Sequence, residues 1–235
     1  AVRRVLFAKF AMGLFEDPYG KTFKNRKRHS PESVKLAKTI ADESTVLLKN
    51  ENQLLPLDAK SLKSIAIIGP NADQVQFGDY TWSRNNKDGV TPLQGIKNRV
   101  NKNTAIHYAK GCSLTSLDTS GIAEAVEAAK NSEVAVIFGG SASAALARDY
   151  KSSTCGEGFD LNDLNLTGAQ SQLIREVYRT GTPVILVLVT GKPFVIEWEK
   201  NNLPAILVQW YAGEQAGNSI ADILFGEVVP SGRLT

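Results

Sequence analysis

From residue 62 onward, short apolar runs alternate with segments of mixed polarity. Five runs have the length and composition of buried β-strands, and they lie at 64–69, 105–109, 134–139, 183–191 and 204–209. Helical spacing of apolar positions recurs between or after them, at 121–131, 167–179 and 214–225. Because most of these strands are apolar on both faces and alternate with helices, they predict a parallel sheet covered on both sides. With right-handed crossovers, the predicted fold class is α/β, a doubly wound, mostly parallel sheet sandwiched by helices.

The first thirty residues have a different pattern. Residues 1–13 form one amphipathic helix pattern with no start Met and no leader-peptide pattern. We expect the apolar face of that helix to pack on a segment that precedes residue 1. Residues 15–30 contain Pro, Gly and charges without periodicity, and we interpret them as a linker.

A second helix is predicted to begin at Ser30 and Pro31, with Ser30 as N-cap, and to end near Glu43. Its apolar positions are expected to be largely buried, and they are Val34, Leu36, Ala37, Ile40 and Ala41. Residues 45–49 and 54–57 are expected to form a short extended pair. A second cap is predicted at Thr167, which has capping-box spacing to Gln170.

Composition narrows the protein class. The chain has 235 residues, 43% of them hydrophobic and 22% charged, which is ordinary globular usage. The longest aliphatic run is Val184–Val189, far shorter than the ~20 apolar residues of a membrane-spanning helix. Two cysteines, Cys112 and Cys155, make no disulfide framework, and whether they pair is left open.

Charge is distributed unevenly along the chain. Residues 1–30 carry eight Lys and Arg against two acids, a net charge of +6, while the whole chain has only +3. A basic run is compatible with nucleic acid or with a solvated connecting segment. Because this run is short and lacks interleaved aromatic residues, we favour the connecting segment and expect no nucleic-acid partner.

Three kinds of site are disfavoured by the motifs that the chain lacks. Gly69 follows a β run, but neither the G-x-G-x-x-G pattern nor a Walker Lys-Ser/Thr is present, which argues against a nucleotide site. His29 and His107 are the only histidines and no C-x-x-C occurs, so no metal site is expected. A serine hydrolase is disfavoured because no G-x-S-x-G occurs.

The sharpest candidate lies in the long segment between 139 and 167, at the carboxyl end of a predicted strand. Glu157 stands there between Gly156 and Gly158. Ligands of such sheets meet the loops after the strands, and a carboxylate on a glycine-rich backbone suits general acid/base chemistry. The alternative is an exposed loop glutamate between flexible residues. Asp160 and Asp163 are interpreted as turn residues.

Tyr80 and Trp82 form a second candidate, in the polar loop 70–91. Aromatic rings in a strand-end loop can stack on the apolar faces of sugars. The alternative is local packing that holds a long loop in place. Trp198 and Trp210 lie beside apolar strands and are expected to belong to the core.

At this point the motifs resemble those of glycoside hydrolase family 3, the β-glucosidases, β-xylosidases and their relatives. Glu157-Gly158-Phe159-Asp160, with Leu164, Leu166, Gly168 and Gln170, is similar to the family's E-G-x-D-R-x-x-L-x-L-P-G-x-Q. Further similar segments, in the expected order over nearly the whole chain, lie at 3–10, 13–19, 43–50, 54–57, 67–73, 210–217 and 230–234. Two departures are Leu161 for the usual Arg and Thr167 for the usual Pro.

The resemblance implies an active site shared by two domains. An upstream (β/α) barrel would carry the nucleophile, and Glu157 would be the acid/base on a loop of the sandwich. By loop position, Tyr80 and Trp82 would bind substrate near the aglycone. The domains would then be 1–19, the last barrel helix; 20–62, an inter-domain linker; and 63–235, the α/β sandwich.

The same resemblance implies hydrolysis of terminal β-D-glucosides or β-D-xylosides, from oligosaccharides or aryl glycosides, with no cofactor. A nucleophile in an S-D-W motif would lie upstream, because the chain has no Asp-Trp pair. We therefore expect the chain alone to be inert. The polymer-derived substrates of the family suggest a periplasmic or secreted bacterial enzyme. The alternative is a non-catalytic carbohydrate-binding or structural module.

Overall fold

The computed structural model describes residues 1–19, 29–81, 85–143, 154–159 and 161–234, and it contains two compact units, Ala1–Val34 and Lys35–Thr235. The first contains helix α1, Val2–Ala11, whose apolar side chains Phe7 and Phe10 are exposed. Helix α2, Pro31–Ser44, begins in the first unit and ends in the second. Its predicted N-cap is confirmed, since the Ser33 N–H donates to Ser30 Oγ at 3.2 Å.

The second unit is built on a six-stranded sheet. Its strands are β1 Val46–Asn50, β2 Ser64–Ile68, β3 Ala105–Ala109, β4 Val134–Gly140, β5 Val184–Val189 and β6 Ala205–Gln209. Their order across the sheet is β1-β6-β5-β4-β2-β3, and every pairing is parallel except that of β1 with β6. The remaining helices are α3 Pro92–Arg99, α4 Ile122–Lys130, α5 Gln170–Tyr178, α6 Glu197–Asn202 and α7 Ala216–Leu224.

Helices cover both faces of this sheet, as the strand pattern predicts. Alternate side chains of β4 enter two separate cores, Ile137 on one face and Phe138 on the other. Leu173 of α5 packs into the first core, and Ile96 of α3 and Ile220 of α7 pack into the second. The expected doubly wound, mostly parallel α/β sheet is therefore confirmed.

The segment before β2 differs from its prediction. Residues 45–49 do not pair with 54–57; β1 instead joins the sheet as an edge strand, antiparallel to β6. Residues 54–57 are held by other contacts, including those of the Asn50 amide, which donates to Leu55 O at 2.9 Å and accepts the Leu55 N–H at 2.9 Å. A local side-chain turn thus replaces the expected hairpin.

Two further local expectations were wrong. In α2 only Ala41 is buried, while Leu36 and Ile40 are 60% and 58% exposed, because periodicity identifies a shared face but not what covers it. Thr167 does not cap α5: its hydroxyl donates to Leu114 O at 2.6 Å, and the N-cap residue is Ala169. The α5 helix therefore begins two residues later than its capping-box spacing indicates.

Within the described ranges, no helix combines the length and hydropathy that a bilayer span requires. Cys112 and Cys155 are both buried free thiols, and burial raises the pKa of Cys112 to about 11. Trp198 and Trp210 are partly buried and pack against the core, in line with their expected role.

Candidate active site

The candidate site lies where the order in which the chain adds strands to the sheet reverses its direction. Strand β2 sits between β3 and β4, so the chain winds outward in both directions from this point. The loops that follow β2 and β4 therefore flank a crevice at the carboxyl ends of the strands, which is where sheets of this class bind ligands. The segments carrying Tyr80 and Glu157 are these two loops.

Strand-end glycines near this crevice have a packing role. Gly69 has a φ of 114°, and a Cβ there would lie 2.3 Å from the carbonyl oxygen of Phe138. Gly140 has a φ of 120°, and its Cβ would lie 2.2 Å from the carbonyl oxygen of Val189. Close approach of neighbouring backbones thus accounts for both glycines without a phosphate ligand.

Glu157 occupies the tip of a tight turn. The turn formed by 154–159 is attached to the end of β4, since the Thr154 N–H donates to Ala142 O at 3.0 Å. It is closed by the Phe159 N–H, which donates to Gly156 O at 3.0 Å. Glu157 is exposed at the tip, so its carboxyl group faces outward from the sandwich rather than into its core.

The two flanking glycines are required by backbone conformation. Gly156 has a φ of 123° and Gly158 a φ of 77°, both in the range that residues with a Cβ rarely adopt. Nothing lies within 4 Å of a Cβ built on Gly158, so its φ, not crowding, favours glycine there. The G-E-G sequence is thus what allows the turn to present Glu157.

The loop after β2 holds the backbone of this turn. Asp79 Oδ2 accepts the Glu157 N–H at 3.1 Å, and Asp79 Oδ1 accepts the Ser143 hydroxyl. A carboxylate acceptor makes such hydrogen bonds stronger than a neutral one. Asp79 therefore joins the loop after β2, the end of β4 and the turn that bears Glu157.

A buried polar cluster lies beneath the same turn. The Tyr211 hydroxyl is 2.6 Å from Cys155 Sγ and 2.7 Å from Ser141 Oγ, and the Ser141 hydroxyl donates to Thr190 Oγ1 at 3.1 Å. Burial, together with the hydrogen bond to Cys155, raises the pKa of Tyr211 well above its usual range. Tyr211 therefore keeps its phenolic proton at neutral pH and remains a hydrogen-bond donor.

Asn71 and Gln76 brace the loop after β2. The buried Asn71 amide donates to the carbonyl oxygens of Gly139 at 3.3 Å and Ser141 at 3.2 Å. Gln76 Nε2 donates to Asn71 Oδ1 at 2.8 Å. These contacts fix the start of the loop on which Asp79 and Tyr80 are carried.

The predicted aromatic pair is only partly described. Tyr80 directly follows Asp79, is 67% exposed and has a φ of 57°. Trp82 and Asp160 lie outside the described residues. The structure thus brings the loop of Tyr80 to the turn of Glu157.

Sequence reasoning missed Asp79, Asn71 and Tyr211, which make the contacts around the turn. Each lies in a strand-end loop, and Asn71 and Tyr211 also lie in the family-like segments 67–73 and 210–217; these positions are the signals in the sequence that could have indicated them. Across the described part of the chain, no group of three or more His, Cys, Asp and Glu side chains has metal-binding geometry.

Comparison with known proteins gives consistent matches. The model of the glycosyl hydrolase family 3 C-terminal domain matches residues 45–235. A β-xylosidase of Formosa agariphila is 39% identical over the whole chain, which covers 32% of that protein. A periplasmic β-glucosidase of Salmonella typhimurium is 37% identical over the whole chain, which covers 33% of it.

A solved structure agrees with these sequence matches. The β-glucosidase EmGH1 of Erythrobacter marinus superposes with a TM-score of 0.81 at 34% identity, over 97% of this chain and 33% of its own. The chain therefore spans about a third of the length of the relatives that it matches.

Proposed function

Because the chain belongs to glycoside hydrolase family 3, we propose that it is the sandwich part of a retaining β-glycosidase and that Glu157 is that enzyme's general acid/base. The substrates would be terminal β-D-glucosides or β-D-xylosides. Relatives with both names match the chain, and they support the sugar class without choosing between the two.

One observation supports the role of Glu157 above the others. Its carboxyl group stands exposed at the tip of a turn whose backbone is held, at the carboxyl edge of the sheet where the winding reverses. An exposed carboxylate on a fixed backbone suits a site completed by another domain. A structural glutamate would instead be expected to have partners within its own domain.

The proposed chemistry needs two carboxyl groups ~5–5.5 Å apart. The nucleophile, on a barrel upstream, attacks the anomeric carbon while Glu157 donates its proton to the glycosidic oxygen, and the aglycone leaves as an alcohol. The Glu157 carboxylate then takes a proton from water, whose oxygen attacks the anomeric carbon and releases the nucleophile. Glu157 regains its proton in this second step, so each turnover consumes one water.

The proposed domain arrangement follows from the same family membership. Residues 1–19 would be the last helix of the barrel, 20–62 the inter-domain linker and 63–235 the sandwich. Strand β1 lies within the linker range by this division, although it pairs with β6 in the sheet. Tyr80 and Trp82 would lie on the aglycone side of the shared site.

The test replaces Glu157 in the full-length enzyme that contains this chain. Glu157→Ala is expected to lower kcat for 4-nitrophenyl β-glucoside and β-xyloside by ~10²–10⁴-fold. Azide, which needs no general base, should restore turnover of these activated substrates and yield the β-glycosyl azide. The substrate that wild type hydrolyses faster identifies the sugar.

The matched control is Glu133→Ala. Glu133 is an exposed carboxylate at the opposite, amino edge of the sheet, where its side chain accepts the Lys63 N–H at 2.9 Å. The activity of Glu133→Ala should equal that of the wild-type enzyme, with or without azide. If Glu157→Ala also keeps wild-type activity, the acid/base assignment is wrong. Either another carboxylate of the same segment, Asp149 or Asp160, then has that role, or the sandwich is a non-catalytic module.

A further inference from the structure

The turn that bears Glu157 is held at two points by residues from other loops. Gly156 and Gly158 leave its backbone few steric restrictions of its own, because glycine lacks a Cβ. An exposed turn of this kind stays in one place only if contacts from outside fix it. Asp79 and Tyr211 make such contacts, 78 and 56 residues away from their partners in the chain.

Asp79 makes the outer contact. Its two carboxylate oxygens serve different groups, Oδ2 the Glu157 N–H and Oδ1 the hydroxyl of Ser143 at the end of β4. The bond to the backbone N–H fixes the peptide plane that precedes the Cα of Glu157. The Cα from which the Glu157 side chain extends is thereby held in place.

Tyr211 makes the inner contact. Its hydroxyl reaches Cys155, two residues before Glu157, and also Ser141. The ring packs closely against the backbone of two glycines. A Cβ on Gly191 would lie 2.7 Å from Tyr211 Cε2, and one on Gly78 would lie 3.4 Å from Tyr211 Cδ2. Tyr211 therefore links the turn to the ends of β4 and β5 and to the loop that carries Asp79.

We propose that Asp79 and Tyr211 are positioning residues that hold Glu157 at the distance from the glycosidic oxygen that proton transfer requires. This inference rests on the proposed acid/base role of Glu157. Neither residue donates a proton to substrate; each acts through the backbone of the turn. Displacement of a reacting group by about 1 Å can cost on the order of 10²-fold in rate, so loss of either contact should be visible in turnover.

The test uses the full-length enzyme and glycosides whose leaving groups differ in acidity. Proton donation matters for a phenyl leaving group and much less for 2,4-dinitrophenyl. Asp79→Ala should lower kcat/KM for the phenyl glycoside on the order of 10–10²-fold and that for the dinitrophenyl glycoside by a much smaller factor. Asp79→Asn, which keeps one acceptor oxygen of two, should be intermediate.

Asp73→Ala is the matched control for Asp79→Ala. Asp73 lies in the same loop, but its carboxylate accepts the hydroxyl of Thr91 at 2.8 Å, away from the turn. Substitution of Asp73 should reduce the stability of the protein without changing the ratio of kcat/KM for the phenyl glycoside to kcat/KM for the dinitrophenyl glycoside. Equal ratios in Asp79→Ala and Asp73→Ala would overturn the positioning role of Asp79.

Tyr211→Phe tests the inner contact with the ring kept in place. Only the hydroxyl contacts to Cys155 and Ser141 are lost, so the variant should fold and show the same leaving-group selectivity as Asp79→Asn. An unchanged phenyl to dinitrophenyl ratio would overturn the role of Tyr211.

Combining each substitution with Glu157→Ala separates this inference from the function that it rests on. If Asp79 acts through Glu157, Asp79→Ala should cost nothing further for the phenyl glycoside once Glu157 is absent. Additive losses would mean that Asp79 acts elsewhere, which overturns the inference while Glu157 keeps its role. If Glu157→Ala itself shows no leaving-group selectivity, the proposed function has failed instead.

Discussion

Tyr80 combines an exposed ring with an unfavourable backbone. Its φ of 57° is rare for a bulky residue and costs on the order of 1–3 kcal/mol, which the surrounding loop must offset. The hydrogen bonds of the neighbouring Asp79 are contacts that can offset this cost. The outcome is an aromatic ring, 67% exposed, beside the turn of Glu157.

We expect this ring to bind the aglycone rather than to take part in bond breaking. In the full-length enzyme, Tyr80→Ala should raise KM for disaccharide substrates about fivefold, since stacking on one ring is worth ~1 kcal/mol, with kcat little changed. Tyr80→Phe retains the ring and should retain KM. Steady-state kinetics on both variants check this, and a fall in kcat at constant KM would argue against a binding role.

Helices α3 and α7 touch through their backbones. A Cβ on Gly95 would lie 2.0 Å from the carbonyl oxygen of Gly217, and one on Gly217 would lie 2.1 Å from that of Thr91. The Gly217 N–H also donates to Val90 O at 2.8 Å. Gly217 belongs to the family-like segment 210–217, so its physical role there is to allow this crossing.

Gly95→Ala tests the crossing because two effects have opposite signs. Helix propensity alone would stabilise the variant by about 1 kcal/mol, whereas the clash should destabilise it by about 1–3 kcal/mol or more. We expect the clash to dominate, because the nearest atom belongs to backbone that cannot rotate away. Urea denaturation of the full-length protein measures the sign; Lys97→Ala, on the exposed side of α3, should stay within about 0.5 kcal/mol of wild type.

Across the second unit, Asp222 joins three helices. Its carboxylate on α7 accepts from Lys38 of α2 at 2.9 Å and from Arg99 of α3 at 3.4 Å. Burial lowers the pKa of Lys38, but its hydrogen bonds to Asp222 and Asp42 outweigh burial, and the net shift is upward. Lys38 is therefore charged at neutral pH and ties the middle of α2 to α7.

Asp222→Asn should lower the free energy of unfolding by about 1 kcal/mol, since the groups are only partly exposed. Because the pKa of Lys38 is raised in the folded state, the stability that its ion pair contributes is present at neutral pH. That stability is lost as the pH rises through the folded-state pKa of Lys38. The difference from wild type should therefore shrink above pH 10.5 and in high salt. Urea denaturation at several pH values measures it, and Glu127→Gln, from an exposed pair on α4, should change stability little.

Much of the fold was predictable because its signals are local. The strand runs at 64–69 and 134–139 and the cap at Ser30 depend on neighbouring residues and match the structure. Pro92 follows Thr91, whose side chain accepts the Gln94 N–H, so the start of α3 also carried a local signal that was overlooked. Thr167 does not cap α5, and its hydroxyl instead donates to a distant acceptor, Leu114 O.

The candidate site was predictable only at Glu157 and Tyr80. Glycines around a glutamate and aromatic residues in a strand-end loop are visible in the sequence. Asp79 carries no comparable pattern, and Tyr211 lies in a family-like segment that does not indicate its role. The importance of both comes from partners that lie far away in the chain. Long-range contacts of this kind depend on which strands become neighbours, which no local window contains.

The sequence by itself determined the α/β class, the family and the glutamate on which the proposed function rests, because periodicity and motif spacing are properties of short segments. Only the tertiary structure decided the strand order, the pairing of β1 with β6 and the meeting of Asp79 with the N–H of Glu157. The reason is physical: backbone hydrogen bonds and apolar burial can be satisfied locally in many ways, and only the fully assembled sheet selects which loops come together at its carboxyl edge.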